Sequence, residues 1–352
     1  MKTFIRATGN ISPQKTFGKE PLLSGPVVQT GNRLRCTEPD YTQYIDVKFI
    51  RRMSRIIKMG TAAAMECLQY AGVQNPDAIV MGTAYGCLED TGIFLKKMAE
   101  QNEEMLTPTA FIQSTHNTIG AQIALLLQCH NYNNTFVHRG FSFESALLDA
   151  MMLLEENAAT TVLTGAADEI TDYSHAILSR FGLYKNEPII NTDLYKSQTR
   201  GTIAGEGAAF FLLSNQPSTN DYATLDALHT FYKPAGTHEI EQQVLQFLQE
   251  QTTELKDIDV IITGNNGDEK TDAVYHQLEN TIFKDKRSVH YKHLCGEYPT
   301  STAFALWLAA SIVKDGNLPA GIYAPADATI KRVLIYNHYE NIHHSLMLVS
   351  AC

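Results

Sequence analysis

Two short segments carry side chains that could do chemistry. His138, Ser142, Glu144 and Ser145 crowd into one stretch of the chain. A serine hydroxyl becomes a nucleophile only when a neighbouring base takes its proton, so His138 or Glu144 would have to meet Ser142 for a hydrolytic or acyl-transfer step. The same serines serve equally as caps or packing groups for a following helix, which is their commoner use. The second segment, Lys292-His-Leu-Cys-Gly-Glu297, sets an amine, an imidazole, a thiol and a carboxylate close together. Cys295 is a reactive thiol only where an electropositive, accessible setting favours the thiolate; otherwise it is a small buried hydrophobe. His343 and His344 are adjacent, so on a strand they point to opposite faces and cannot both hold one metal. The six cysteines, at 36, 67, 87, 129, 295 and 352, form no CxxC pair and no zinc spacing. Neither a metal nor a cofactor is expected.

The chain that must position these groups has 352 residues, 44% hydrophobic and 19% charged. That is ordinary globular composition, long enough for about two domain-sized units. The net charge of −10 argues against nucleic acid, which calls for a basic stripe. Arg51, Arg52, Arg55 and Lys58 make the densest basic run, read as a solvated helix face or as a patch for a polyanionic partner. No stretch approaches the ~20 apolar residues of a membrane helix. The apolar run at the N-terminus is too short for a signal peptide. A cytoplasmic setting without membrane insertion is expected.

Short β-rich runs alternate with helical spacing. Thr3–Ala7, Ala78–Gly82, Asn134–Val137, Thr160–Gly165 and Gly207–Ser214 read as strands. Phe49 to Tyr70, Asn117–Gln128 and Ser145–Glu156 read as helices. After residue 215 the logic repeats, with strands at Ile258–Gly264, Arg332–Asn337 and His344–Val349 and helices at Asp272–Phe283 and Ser301–Val313. Ile79-Val-Met-Gly is similar to Val260-Ile-Ile-Thr-Gly, Thr161-Val-Leu-Thr-Gly to Arg332-Val-Leu-Ile-Tyr, and Gly207–Ser214 to Ser345–Ser350. Their common order suggests an internal duplication, with halves at 1–215 and 216–352 divided by the linker-like Asn215–Asp221. The fold class is α/β, with sites at the carboxyl ends of strands.

Several segments, in order, resemble β-ketoacyl synthases. Ala7-Thr-Gly-Asn-Ile-Ser-Pro13 resembles the family's opening Gly-x-Gly-x-x-Ser-Pro. Arg51-Arg-Met-Ser-Arg55 resembles its Arg-Met-Asp-Arg, and Val80-Met-Gly-Thr-Ala-Tyr-Gly86 its Val-Gly-Thr-Gly-x-Gly. Thr107-Pro108 followed by Asn117 resembles its substrate loop, and Ala204-Gly-Glu-Gly-Ala208 its Gly-Glu-Gly-Ala. The resemblance implies a thiolase-like fold, two duplicated α/β halves forming a layered α-β-α-β-α core. It implies a cysteine nucleophile at a helix N-terminus, where the helix dipole favours the thiolate, and two histidines that promote decarboxylation.

This sequence departs from that pattern at each catalytic feature. Counting back from Gly165-Ala-Ala167, which resembles the family's Gly-Gly-Ala, puts Gly140 at the nucleophile position. Asn266 takes the place of the first histidine. Lys292 and Gly296 of the Lys-x-x-x-Gly motif are kept, but Glu297 takes the place of the second histidine. Lys292, if buried, needs Glu297 or another acid as partner. Asn337-His-Tyr-Glu-Asn-Ile342, with Asn337 and His338, stands where the family has a glycine-rich loop. Thr107, Gln113, Thr115, His116, Asn117, Phe141 and Ser142 would line the substrate tunnel. Loss of condensing activity is implied, since glycine offers no nucleophile.

The resemblance then implies a chain-length-factor-like partner subunit. It would pair with an active ketosynthase and serve polyketide, polyene or fatty-acid-type synthesis with an acyl carrier protein. Two other readings stand beside it. One is an active acyltransferase or hydrolase using Ser142 or Glu297; the other is a homodimeric acyl-binding scaffold.

Overall fold

The computed structural model describes residues 2–18, 25–106, 108–197, 199–326 and 328–352. Its strands are β1 (Thr3–Ile11), β2 (Thr30–Gly31), β3 (Ala78–Gly82), β4 (Tyr132–Phe136), β5 (Thr161–Asp168), β6 (Ile189–Ile190), β7 (Gly207–Ser214), β8 (Ala223–Tyr232), β9 (Val260–Thr263), β10 (Ser288–His290), β11 (Arg332–Tyr339) and β12 (His343–Ser350). Apart from the small β2–β6 pair, they hydrogen-bond in the order β10-β9-β11-β12-β8-β1-β7-β5-β3-β4. The order repeats about the β1–β8 junction. β3, β4, β5 and β7 occupy the places that β9, β10, β11 and β12 occupy beyond it. The strands paired by similarity, β3 with β9, β5 with β11 and β7 with β12, are topological equivalents.

The layering follows from the period-2 alternation of strand side chains. In β3, Val80 faces one core while Ile79 and Met81 face another. In β11, Val333 and Ile335 face the first core while Leu334 and Tyr336 face a third. The shared core holds the helices Ser142–Glu155 and Thr302–Asp315 between the two halves of the sheet. Thr302–Asp315 has a long run of buried residues on every side, as a helix between two sheets must. Arg55–Ala71 and Thr118–Leu127 cover one outer face, and Thr237–Glu250 and Glu269–Asn280 the other. This is the α-β-α-β-α arrangement expected of a thiolase-like fold.

Two expectations shift. The helix read from Phe49 starts at Arg55, after a separate turn at Val47–Ile50. Arg55 is not part of a free basic run. Its guanidinium makes two hydrogen bonds to the buried Glu206 (2.8 and 2.6 Å) and also meets Glu38. Glu206 also accepts from the backbone of Cys36 and Ile170, so the Gly-Glu-Gly segment is a structural clamp.

β3 and the helix Ser142–Glu155 touch through a glycine. A Cβ on Gly82 would lie 2.3 Å from the Ser142 carbonyl oxygen and 2.7 Å from the Phe143 nitrogen, both backbone atoms that cannot swing aside. Gly82→Ala should therefore cost about 1–3 kcal/mol or more in urea unfolding. An unchanged unfolding midpoint would show that this contact does not set the helix position.

Candidate functional site

Gly140 lies in a turn, Arg139–Phe141, that runs directly into the helix Ser142–Glu155. Its place at a helix N-terminus is where a thiolate would be favoured. Gly140 is buried, and its φ is outside the left-handed region that demands glycine. Space, not backbone conformation, excludes a side chain. A Cβ there would lie 2.7 Å from Tyr339 Cβ and 3.1 Å from His343 Cβ.

Those two residues flank the tip of the β11–β12 hairpin, where Tyr339 pairs with His343 and His338 with His344. The segment expected as an altered glycine loop is thus mostly strand, with a tight reversal. Glu340 and Asn341 take φ of 56° and 54° there, a region that costs a non-glycine residue strain. The hairpin carries Tyr339 across Gly140, and its hydroxyl meets that of Tyr85 at 3.3 Å.

On the other side, Tyr339 lines a cavity of about 40 Å³ together with Tyr184, Thr202, Asn266, Thr271, Glu297 and Glu340. That is room for little more than a water molecule. Asn266 and Glu297 meet directly there. Asn266 follows β9, Lys292 follows β10, and Glu297 sits on the Gly296 turn between Lys292 and the helix Thr302–Asp315. Asn266 Nδ2 donates to Glu297 Oε2 at 2.8 Å, and Lys292 Nζ donates to the same oxygen at 2.5 Å. Lys292 has no exposed surface, so its ammonium relies on this carboxylate. Glu297 Oε1 has no hydrogen-bond partner. The four departures from the resemblance are therefore linked: Tyr339 of the Asn337–Ile342 segment lies against Gly140 and lines the cavity where Asn266 and Glu297 meet.

The remaining expected site residues divide. Asn337 Oδ1 accepts from the Tyr291 hydroxyl at 3.0 Å, deep in the fold. His338 stacks on Tyr275 with its Nε2 3.1 Å from the Thr271 carbonyl, and burial holds its pKa well below the usual histidine range. Phe141 packs edge-on against His343 at 4.7 Å. Ser142 accepts from the His138 backbone and donates to the Arg139 carbonyl, both at 2.8 Å, so its hydroxyl caps the turn. The His138 ring lies against Phe141 and His343 instead. Cys295 is fully buried, and burial raises its thiol well above the usual range, against a reactive thiolate. His344 is stacked on Phe231 while His343 faces Phe141, on opposite faces as adjacency requires. Among the described residues no cluster of His, Cys, Asp or Glu fits a metal.

Gln113, Thr115, His116 and Asn117 are not in the cavity; the last three are exposed in this chain. Thr107 lies outside the described residues. The residues expected to line a tunnel are not among those that line the cavity at Glu297.

The sequence reading missed the roles of Tyr339 and Asp168, and it placed Glu144 only as a base for Ser142. Tyr339 fell inside the altered loop, but nothing in its neighbours fixes where its ring goes. Glu144 is fully buried; its Oε1 accepts from Ser345 at 3.0 Å, and burial lifts its pKa to about 7. Asp168 takes four hydrogen bonds, from Thr83, the Ala84 and Tyr85 backbone, and Thr300 at 2.7 Å, and so ties the end of β3 to the second half. An acid directly after the apolar β5 run was the signal available for it.

Residues 36–180 match a family described as beta-ketoacyl synthase, N-terminal domain. No curated protein sequence matches the chain. Solved structures match it over its full length. The ishigamide ketosynthase/chain length factor aligns with a TM-score of 0.83 at 16% identity, covering 100% of this chain and 99% of that one. A beta-ketoacyl synthase from Burkholderia phymatum gives 0.78 at 14%, covering 100% and 99%. A ketosynthase (ApeO) in complex with its chain length factor (ApeC) from Xenorhabdus doucetiae gives 0.76 at 14%, covering 100% and 98%. The fold is that of the ketosynthases.

The contact at Gly140 is open to a double-mutant cycle. Gly140→Cys should destabilise the chain by about 1–3 kcal/mol, the cost of forcing atoms into a filled site. Placed on Tyr339→Gly, the same change should cost less, because the close Cβ is gone. Equal costs in both backgrounds, measured by urea unfolding, would refute Tyr339 as the group that fills the site.

Proposed function

We propose that this chain, ketosynthase-like in fold, is a non-condensing partner subunit of an active ketosynthase, in the manner of a chain length factor. The observation that carries this reading is the filled space at Gly140. The chain offers no nucleophile at the helix N-terminus, and Tyr339 occupies the volume a nucleophile and its acyl group would need. Glu297 is spent on Lys292 and Asn266 on Glu297, in place of the decarboxylating histidines. The reading also draws on the ishigamide and ApeO–ApeC structures, whose names pair a ketosynthase with a chain length factor. A ketosynthase bound to its type II acyl-carrier protein is another similar structure, and an acyl carrier protein is accordingly the proposed third component. Polyketide, polyene or fatty-acid-type chains are the products such an assembly would make.

The surface suits such a pairing. β4 ends the ten-stranded sheet, so one of its edges is without a strand neighbour. Around it, Leu125, Tyr132, Val137, Leu148 and Met152 are all exposed apolar side chains. Tyr132 and Asp149 join the strand to the neighbouring helix through a 3.1 Å hydrogen bond. An open strand edge flanked by apolar helices is a ready surface for another chain. Among the described residues no helix is long and apolar enough to cross a membrane, so a bilayer-spanning role does not account for the patch. The proposed setting is the cytoplasm.

Co-expression with a cysteine-containing ketosynthase from the same source tests the pairing. A one-to-one complex should co-purify, and Val137→Lys or Leu148→Lys should weaken it while each variant chain stays folded. A stable homodimer that ignores the ketosynthase would overturn the partner-subunit reading in favour of a scaffold.

A further inference from the structure

The cluster beside the cavity is more than an ion pair with a neighbour. It contains an amine and a carboxamide that meet on one carboxylate oxygen. Lys292 Nζ and Asn266 Nδ2 both donate to one oxygen, Glu297 Oε2, at 2.5 and 2.8 Å. The other end of the carboxamide is held as well. Asn266 Oδ1 accepts from the Asp268 backbone N–H at 3.0 Å and from the Thr271 hydroxyl at 3.1 Å. The amide orientation is fixed by this network, since a flipped amide would turn oxygen toward carboxylate and nitrogen toward N–H. Two donors on a carbonyl oxygen polarise the carbon and stabilise the oxyanion of a tetrahedral intermediate. The leaving nitrogen points at a group able to protonate it. Lys292 is fully buried, Asn266 and Glu297 nearly so, and Glu297 Oε1 is unpartnered.

We infer that Lys292 and Asn266 are poised to form an intramolecular isopeptide bond, with Glu297 as the proton shuttle. Glu297 first takes a proton from the Lys292 ammonium. The freed lone pair attacks Asn266 Cγ, and the charge that develops on Oδ1 falls on the Asp268 N–H and Thr271 hydroxyl. A second proton passes from Nζ through the carboxyl group to Nδ2. The Cγ–Nδ2 bond breaks, ammonia leaves, and the first proton stays on Glu297. No oxidant or cofactor is needed. The product replaces a buried ion pair, which is costly to desolvate, with a neutral amide and a neutral acid. The cavity that Asn266 and Glu297 line gives ammonia a way out.

The bond would join the chain just beyond β9 to the chain just beyond β10, neighbouring parallel strands that pair at Thr263 and His290. The competing reaction of an Asn-Gly step is ring closure by the following backbone nitrogen. Here Gly267 N is engaged with Asp272 Oδ2 at 2.8 Å, and Asn266 N with Asp272 Oδ1 at 2.8 Å, which holds the turn away from that closure. This inference does not rest on the partner-subunit reading.

The test is the intact mass of the purified chain under denaturing conditions, followed by tryptic mapping. The mass should fall short of the sequence mass by one ammonia, and a branched peptide should join Asn266 to Lys292. Lys292→Arg and Glu297→Gln should restore the full mass. Full mass in the native chain after prolonged incubation would overturn the inference. So would an ammonia loss that persists in Lys292→Arg without a branched peptide, the mark of backbone ring closure. The native chain's own mass and peptide map decide the matter even if the variants fold poorly.

Discussion

One constraint runs through this molecule: the two halves of its sheet share a single apolar middle layer, and a polar group that enters this layer must bring its partner. Desolvating an isolated charge costs far more than any packing contact returns. Lys292 therefore arrives with Glu297, Asp168 with four donors, and Glu144 with Ser345 and a pKa raised to about 7. These pairs also cross the molecule. Thr300 reaches Asp168 and Ser345 reaches Glu144, from the second half to the first. The same groups that satisfy burial thus fix the two halves against each other and shape the strand ends where a site would lie.

What occupies that place follows from local chain geometry. β11 and β12 are joined by a tight hairpin, and its tip delivers Tyr339 onto Gly140. A glycine at the head of the helix Ser142–Glu155 and a tyrosine at the hairpin tip are complementary in volume. Either change alone would be unfavourable: a side chain at 140 would collide, and removing the ring would leave a hole. The absence of a side chain at Gly140 and the placement of Tyr339 against it are one packing event, and beside them lies a cavity of about 40 Å³.

Much of this was legible in the sequence, for identifiable reasons. Strands such as Ala78–Gly82 and Gly207–Ser214 are short apolar runs bounded by glycine, and the strands similar to them later in the chain hold equivalent places in the sheet. That Lys292, if buried, would need an acid, Glu297 or another, followed from the cost of burying an amine. Helix boundaries were less visible: capping depends on one or two residues, so Phe49 seemed to open a helix that begins at Arg55. The path of Tyr339 was not legible at all. Strand side chains alternate, and the residue that faces Gly140 depends on the register of the β11–β12 pair, which is set by the turn at Glu340 and Asn341. The exposure of Thr115, His116 and Asn117 is likewise a property of the assembled surface, not of their spacing.

The proposed role requires that the site at Gly140 be closed to acyl chemistry. Incubation of the purified chain with acyl-loaded carrier protein, followed by intact mass, addresses it directly. The chain's mass should stay unchanged while a cysteine-containing ketosynthase treated alongside gains the acyl group. A stable acyl adduct on this chain would contradict it.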